Sequence, residues 1–413
     1  MDKNEVITPG LRLTQTVNMA EEGDSLPSAI PVFLGWGIET RSPAKQDASV
    51  HLQYLPVWEQ WSVNLSSGQE NCLPHTVRHY FDNGGGPCFV LLHMAPSVLF
   101  TDAQGLLSWW ETFVLDASEM LAKEPAITLV AVPQLVGLAK AVTYDSGEDT
   151  LIVLWKRLLE ACHNRPDLFF VLDAPQSPDD ATACITQLRH DKALGKIFSR
   201  AAFYGPHLET DYGNRDDNVV PPSGAVLGVY VRTDREEGVW KAPANEPVLH
   251  VVKPQYPPTL AGQWFKVDSA TINLIRSFPG RGTRVWGCRT LAPDPTFRYV
   301  QVRRSVSWIE ANLRQICRFA VFEPNNEITW FQVQGLCRAW LRRLWLQGGL
   351  AGEDEASAFT IRVGLNDSMT EADIEAGRLR VLVKVSVLHA AEFIDVSLVL
   401  ALGAASDRRE GHS

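Results

Sequence analysis

The sequence predicts a protein of mixed α/β and α+β class: a parallel-type α/β block, then a C-terminal helix pair with strands, and extended arms at both ends. Three observations carry this. Short apolar runs alternate with amphipathic stretches between residues 76 and 204, the pattern of a parallel sheet covered by helices on both faces. Two helical stripes follow between residues 302 and 344. Two long strand-like runs close the chain after residue 378. On this pattern residues 1–25 are an N-terminal arm, 26–250 an α/β domain, 251–402 a C-terminal core domain and 403–413 a mobile tail.

Taken in order, residues 1–25 are polar except for a strand-like piece at 6–13, interrupted by Pro9-Gly10. Such an arm is either disordered or pairs with something else, because it cannot bury much alone. Residues 29–37 read as a buried strand ending in glycines, and 40–70 carry little signal. A helix end near 77–81 runs into Asp82-Asn83-Gly84-Gly85-Gly86. Strands at 88–92, 127–132, 168–173 and 201–204 alternate with helices at 102–123, 150–163 and 178–190. A helix at 225–236 follows Pro221-Pro222-Ser223-Gly224, and a Pro-rich loop at 246–260 separates this block from a basic helical stretch.

Beyond a strand-like run at 283–288, Val302, Val306, Ile309, Leu313, Ile316 and Ala320 form one buried stripe. Val333, Leu336, Trp340 and Leu344 form a second, stopped at Gly348-Gly349. Trp286, Phe297, Trp308, Ile309, Leu313, Leu336 and Trp340 are the expected core here. A strand at 359–363, a capped helical turn at 369–377 and strands at 378–387 and 392–402 complete the chain.

Residues 276–347 hold twelve arginines, no lysine and four acids, a net +8. The whole chain carries −10, so the rest carries −18. A basic segment in an acidic chain points to an acidic partner, another copy included. Arg303, Arg314 and Arg318, with Glu310 one turn before Arg314, share a face opposite the first stripe. That face is either solvated or holds a protein partner, and the absence of lysine favours the partner. The acidic total and the lack of a stacking module argue against nucleic acid.

Apolar content of 45% and charge of 21% over 413 residues are globular values. No apolar run spans a bilayer and the first residues lack a secretion signal, so a cytoplasmic origin is expected. The seven cysteines include no CxxC pair and read mostly as buried thiols. Asp173, at a strand end, is either a metal or ribose ligand or a cap on the loop Ala174-Pro175-Gln176. No GxxxxGK[ST] or GxGxxG follows any strand, which favours the cap. His75 and His79 lack the Glu of HExxH and a third ligand, and read as a surface or interface pair. Pro279-Gly280-Arg281-Gly282 leads into a strand and reads as a turn. No catalytic residue, metal ligand or cofactor site can be nominated.

Several ordered motifs carry a resemblance. Residues 238–245 (GVWKAPAN), 273–282 (NLIRSFPGRG), 285–290 (VWGCRT), 298–304 (RYVQVRR), Phe322-Glu323-Pro324-Asn325 and Ala391-Glu392-Phe393-Ile394 closely resemble the tail sheath proteins of contractile phages and related injection systems. Residues 81–88 and Thr8-Pro9-Gly10 extend the likeness, which is dense over 224–400 and looser over 1–100. The resemblance implies a structural subunit, not an enzyme, forming hexameric rings of like or related sheath subunits stacked around an inner tube. Baseplate or terminal cap proteins are its further partners, without direct membrane insertion, in a phage tail-like particle assembled after synthesis in a bacterial cytoplasm.

Two departures stand out: Pro9-Gly10 continues as Leu11-Arg12-Leu13, and His389-Ala390 replaces the family's Arg-Pro. Both suit a minor sheath paralogue beside a baseplate. The terminal strands, with Thr8, Pro9, Gly10, Leu11, Leu13 and Glu392, Phe393, Ile394, are expected to pair with adjacent subunits. Arg338, Arg342 and Arg343 are expected to meet acidic groups on the tube, or on neighbouring sheath subunits. The alternative is a doubly wound α/β hydrolase or nucleotide-binding protein.

Overall fold

A computed structural model describes residues 25–38, 50–61, 72–95, 103–141, 149–212, 218–266, 269–388 and 393–401. The first half is built from β1 (Pro31–Ile38), β2 (Val50–Leu55), α1 (Leu73–Asp82), β3 (Cys88–Ala95), α2 (Ala103–Lys123), β4 (Leu129–Ala131) and α3 (Leu135–Ala141). It continues with α4 (Thr150–Ala161), β5 (Phe169–Asp173), α5 (Pro178–His190), α6 (Lys192–Ile197), β6 (Ala201–Gly205), β7 (Leu208–Thr210), β8 (Val219–Val220) and α7 (Ser223–Glu237). Then come β9 (Glu246–Pro247), β10 (Val251–Pro254), β11 (Ile272–Phe278), β12 (Gly282–Val285), α8 (Val300–Cys317) and α9 (Glu327–Leu346). The chain ends in α10 (Glu355–Ala358), β13 (Phe359–Arg362), α11 (Glu371–Glu375), β14 (Arg378–Ser386) and β15 (Phe393–Ala401).

Nine strands form one sheet in the order β2-β3-β1-β4-β5-β6-β11-β12-β9. The run from β3 to β11 is parallel, and the strands outside it are antiparallel. Alternation along each strand feeds two cores. Val32, Leu34, Phe170 and Leu172 face α2, α4 and α5, while Phe33, Val90, Phe169 and Val171 face α1 and α7. A sheet covered on both faces needs apolar residues at every position, hence the near-continuous apolar runs.

Helices α1 and α7 meet through glycine. A Cβ on Gly224 would lie 2.1 Å from Thr76 O, and one on Gly228 would lie 2.5 Å from Tyr80 O. Only a residue without a side chain allows that approach.

A third core joins α8 and α9 to a three-stranded antiparallel sheet, β13-β14-β15. Leu379, Val381, Val383 and Val385 alternate inward along β14. The first helical stripe is buried except for Ile316, which is partly buried. On α9 the stripe is Val333, Cys337, Trp340, Leu341 and Leu344. Leu336, expected inside, is 49% exposed, because Cys337 one residue later takes the inward position and touches Cys317 Sγ at 3.5 Å. Trp286, also expected inside, is 42% exposed and packs on Phe278 at the surface. Ile309, Leu313 and Trp340 are buried, with Phe297 and Trp308 packed partly against them.

The stretch at 246–260 is not merely a separating loop. It supplies β9 to the large sheet and β10 to a small sheet, β10-β7-β8, and the strand β11 beyond it had no counterpart in the sequence pattern. His79 is fully buried rather than a surface residue; its Nε2 donates to Leu249 O at 2.8 Å, and burial pushes its pKa down to about 4.

Candidate assembly surface

Helix α9 buries one stripe and leaves its opposite face exposed. Asn326 starts it, with Oδ1 accepting from the backbone N–H groups of Ile328 and Thr329. Its outer face carries Ile328, Phe331, Leu336 and Leu346 beside Arg338, Arg342 and Arg343. Phe319 lies exposed just past α8, and Phe322, near the connection to α9, is 91% exposed. The arginine ridge was legible in the sequence; the apolar residues beside it were not assigned to any surface.

Arg338 Nε and Arg342 Nε lie 3.6 Å from the two oxygens of Glu355, on α10. These are exposed pairs of the kind worth less than about 1 kcal/mol each, so both guanidinium groups remain available to a stronger acceptor. Glu355 therefore dilutes, but does not bury, the basic character of the ridge. On α8, Arg314 pairs with Glu310 as expected, and Arg318, just past its end, is exposed. Arg303 departs from that face: it is half-buried over the Phe297 ring and donates to Pro166 O at 3.2 Å.

The segment entering β1 is fastened to this unit. Trp340 Nε1 donates to Ser25 Oγ at 3.0 Å, Trp308 Nε1 to Leu26 O at 2.6 Å, and Leu26 N to Asn312 Oδ1 at 2.7 Å. Ser28 Oγ donates to Asp234, which also receives Arg304. At the other end, Phe393 and Ile394 pair with Ser386 and Val385 of the same chain. β15 thus has one edge occupied by its own subunit, and its outer edge has no strand partner among the described residues. Thr8, Pro9, Gly10, Leu11, Leu13 and Glu392 lie outside the described residues.

Asp173 sits at the end of β5 and caps a helix, though not through its own loop. Its Oδ1 accepts Ser223 N at 2.7 Å and closes the start of α7, while α5 is capped by Ser177. The carboxyl is sealed from solvent, and burial pushes its pKa up to about 7. Among the described residues no group of His, Cys, Asp and Glu could hold a metal ion, and no helix is long and apolar enough to cross a membrane.

The described residues thus present an open sheet edge at β15, an exposed face on α9 and, at the end of β5, a carboxylate committed to capping α7. Residues 292–401 match the phage tail sheath C-terminal domain. Over 98% of its length the chain is similar to all of a chain from the contracted baseplate of the anti-feeding prophage, at 29% identity and a TM-score of 0.74. A chain of the contracted sheath complex of the extracellular contractile injection system PVC matches at 28% identity and TM-score 0.66, covering 95% of this chain and 97% of that one. The contracted helical sheath of the anti-feeding prophage gives 27% and 0.67, with coverage of 94% and 98%. No curated protein sequence matches. The C-terminal part of the chain thus matches a sheath domain and the whole chain is similar to chains of contractile injection systems, which supports a structural sheath role; nothing favours the hydrolase or nucleotide-binding alternative.

Proposed function

We propose that this chain forms hexameric rings, stacked helically around an inner tube, whose contraction drives the tube through a target envelope. The observation that carries this is the nine-residue edge strand β15, whose outer backbone edge can accept a strand from a neighbour. Head-to-tail exchange of that kind does not close on itself and so builds a helical tube. In this reading residues 1–25 are the exchanged arm, 26–250 and 251–402 the two working units, and 403–413 a tail. Thr8, Pro9, Gly10, Leu11 and Leu13 meet a neighbour's sheet, while Glu392, Phe393 and Ile394 meet the subunit that adds a strand beside β15.

Arg338, Arg342 and Arg343, with Phe331 between the exposed turns of α9, contact the tube. Exposed charges rehydrate easily when a sheath widens, which suits a contact that must later be given up. The similarity to a baseplate chain supports a place next to a baseplate, in a particle assembled from subunits made in a bacterial cytoplasm. Electron microscopy of purified protein, alone and with its tube, tests the reading. Deleting residues 1–20 should leave a folded subunit that forms no long sheath, and normal polymer from that truncation would overturn the exchange.

A further inference from the structure

The hairpin of β11 and β12 places like charges opposite one another. Arg276 and Arg284 are register partners, so their side chains leave the same face of the hairpin. Like charges directly opposite are destabilising unless something neutralises them. Neither finds an acid among the described residues. The Nε of each is dry and without a hydrogen-bond partner. Arg284 donates through Nη1 to the backbone oxygen of Asn245, and Arg281, in the turn, reaches Asn245 Oδ1 at 3.4 Å. Glu246, on the neighbouring strand β9, is the register partner of Val285 and so lies on the opposite face, where Arg232 holds it at 3.8 Å.

Arg276 is nevertheless held in place. Its guanidinium lies 4.6 Å from the centre of the Phe278 ring, and that ring lies 4.6 Å from Trp286. An aromatic shelf of this kind fixes the plane of a guanidinium and leaves its terminal Nη groups to another acceptor.

We propose that Arg276 and Arg284 form a receptor for a carboxylate from a second copy of the chain, with Trp286 and Phe278 as its apolar rim. Two guanidinium groups on one face offer paired N–H donors, which suit the two oxygens of a carboxylate. The charge distribution selects the partner: outside residues 276–347 the chain carries −18, so every copy offers acidic surface to the basic stretch of the next. This inference rests on the sheath reading and adds to it a specific electrostatic link between subunits.

Assembled full-length protein carrying Arg276→Lys tests it. A water-soluble carbodiimide condenses an amine with a carboxylate in contact, with loss of water, and peptide mass mapping names both ends. Mixing 15N-labelled and unlabelled subunits separates links between copies from links within one. The expected product joins the residue-276 peptide to an Asp or Glu peptide of another copy. The Lys241–Glu237 pair, 2.6 Å apart, reports that the reagent worked. With that control present, no product at 276, or one only within a copy, to the tube or to another protein, overturns the proposal. A second arm reverses both charges, Arg276→Glu with Arg284→Glu, and should raise the critical concentration for assembly at least about ten-fold while the subunit's circular dichroism is unchanged. An unchanged critical concentration overturns the proposal and leaves the sheath reading standing; failure of the unmodified protein to assemble overturns both.

Discussion

Arg304 grips Asp234 with both ends of its guanidinium: Nη1 donates to Oδ1 at 3.0 Å and Nη2 to Oδ2 at 2.6 Å. The two side chains are only 3% and 5% exposed. The pair ties α7, on the large sheet, to α8, in the helix pair, and the guanidinium also stacks 4.8 Å from the Tyr230 ring. Removing one partner strands a buried charge, whereas removing both does not. Asp234→Ala should therefore cost about 3–5 kcal/mol in urea unfolding, and the double change Asp234→Leu with Arg304→Met clearly less. A single change costing no more than the double would show that the pair is not sealed.

Asp173 gives stability a pH dependence of unusual sign. Its folded pKa is raised from 3.8 to about 7 by burial, so the folded chain holds this proton more tightly than the unfolded chain. The associated stability is complete below about pH 4 and is lost as pH rises through 7, at up to about 1.4 kcal/mol per unit. His79 and His207, lowered by burial to about 4, act in the opposite direction between pH 4 and 6.5. Comparing variants isolates Asp173: Asp173→Asn, which keeps an acceptor for Ser223 N, should gain on the parent steadily from pH 4 to 7. A constant difference across that range would refute the assignment.

The two tryptophans separate core from surface. Trp340, 5% exposed and bonded to Ser25, should cost about 3–5 kcal/mol on change to Ala and give insoluble protein. Trp286→Ala should cost less than half as much, since much of that ring already faces water. Comparable losses in thermal unfolding would place Trp286 in the core after all.

Charge reversal at Arg338 and Arg342 probes the outer face of α9. The expected phenotype is sheath that still polymerises but no longer co-sediments with tube. Loss of polymer itself would assign these arginines to contacts between sheath subunits. Because Glu355 meets both arginines, Glu355→Gln should strengthen tube retention rather than weaken it.

Much of this architecture was legible because its core is patterned simply. Phe169 to Leu172 face alternate cores and so appear as an unbroken apolar run, and Val302 to Leu313 trace one stripe of α8. Leu336 misled because steps of three and four from Val333 fit equally well, and a small thiol at 337 signals burial weakly. β11 escaped because Arg276 and Ser277 interrupt its apolar pattern, although Ile272 and Ile275 are buried. At the candidate surface the arginine ridge could be read from spacing. Glu355 could not, because it reaches the ridge from another element, and the pairing of β15 with β14 depends on a register that composition does not encode.

The fastening of Ser25 and Leu26 decides how the chain would bear tension. A pull entering at Ser25 first meets three hydrogen bonds to α8 and α9, and then Ser28 beside the Arg304–Asp234 pair. Only beyond these does it reach β1, which lies inside the sheet and is bonded on both edges, to β3 and to β4. The helix pair and the sheet would share such a load as one body, and the weakest point along that line would lie outside the subunit's own core.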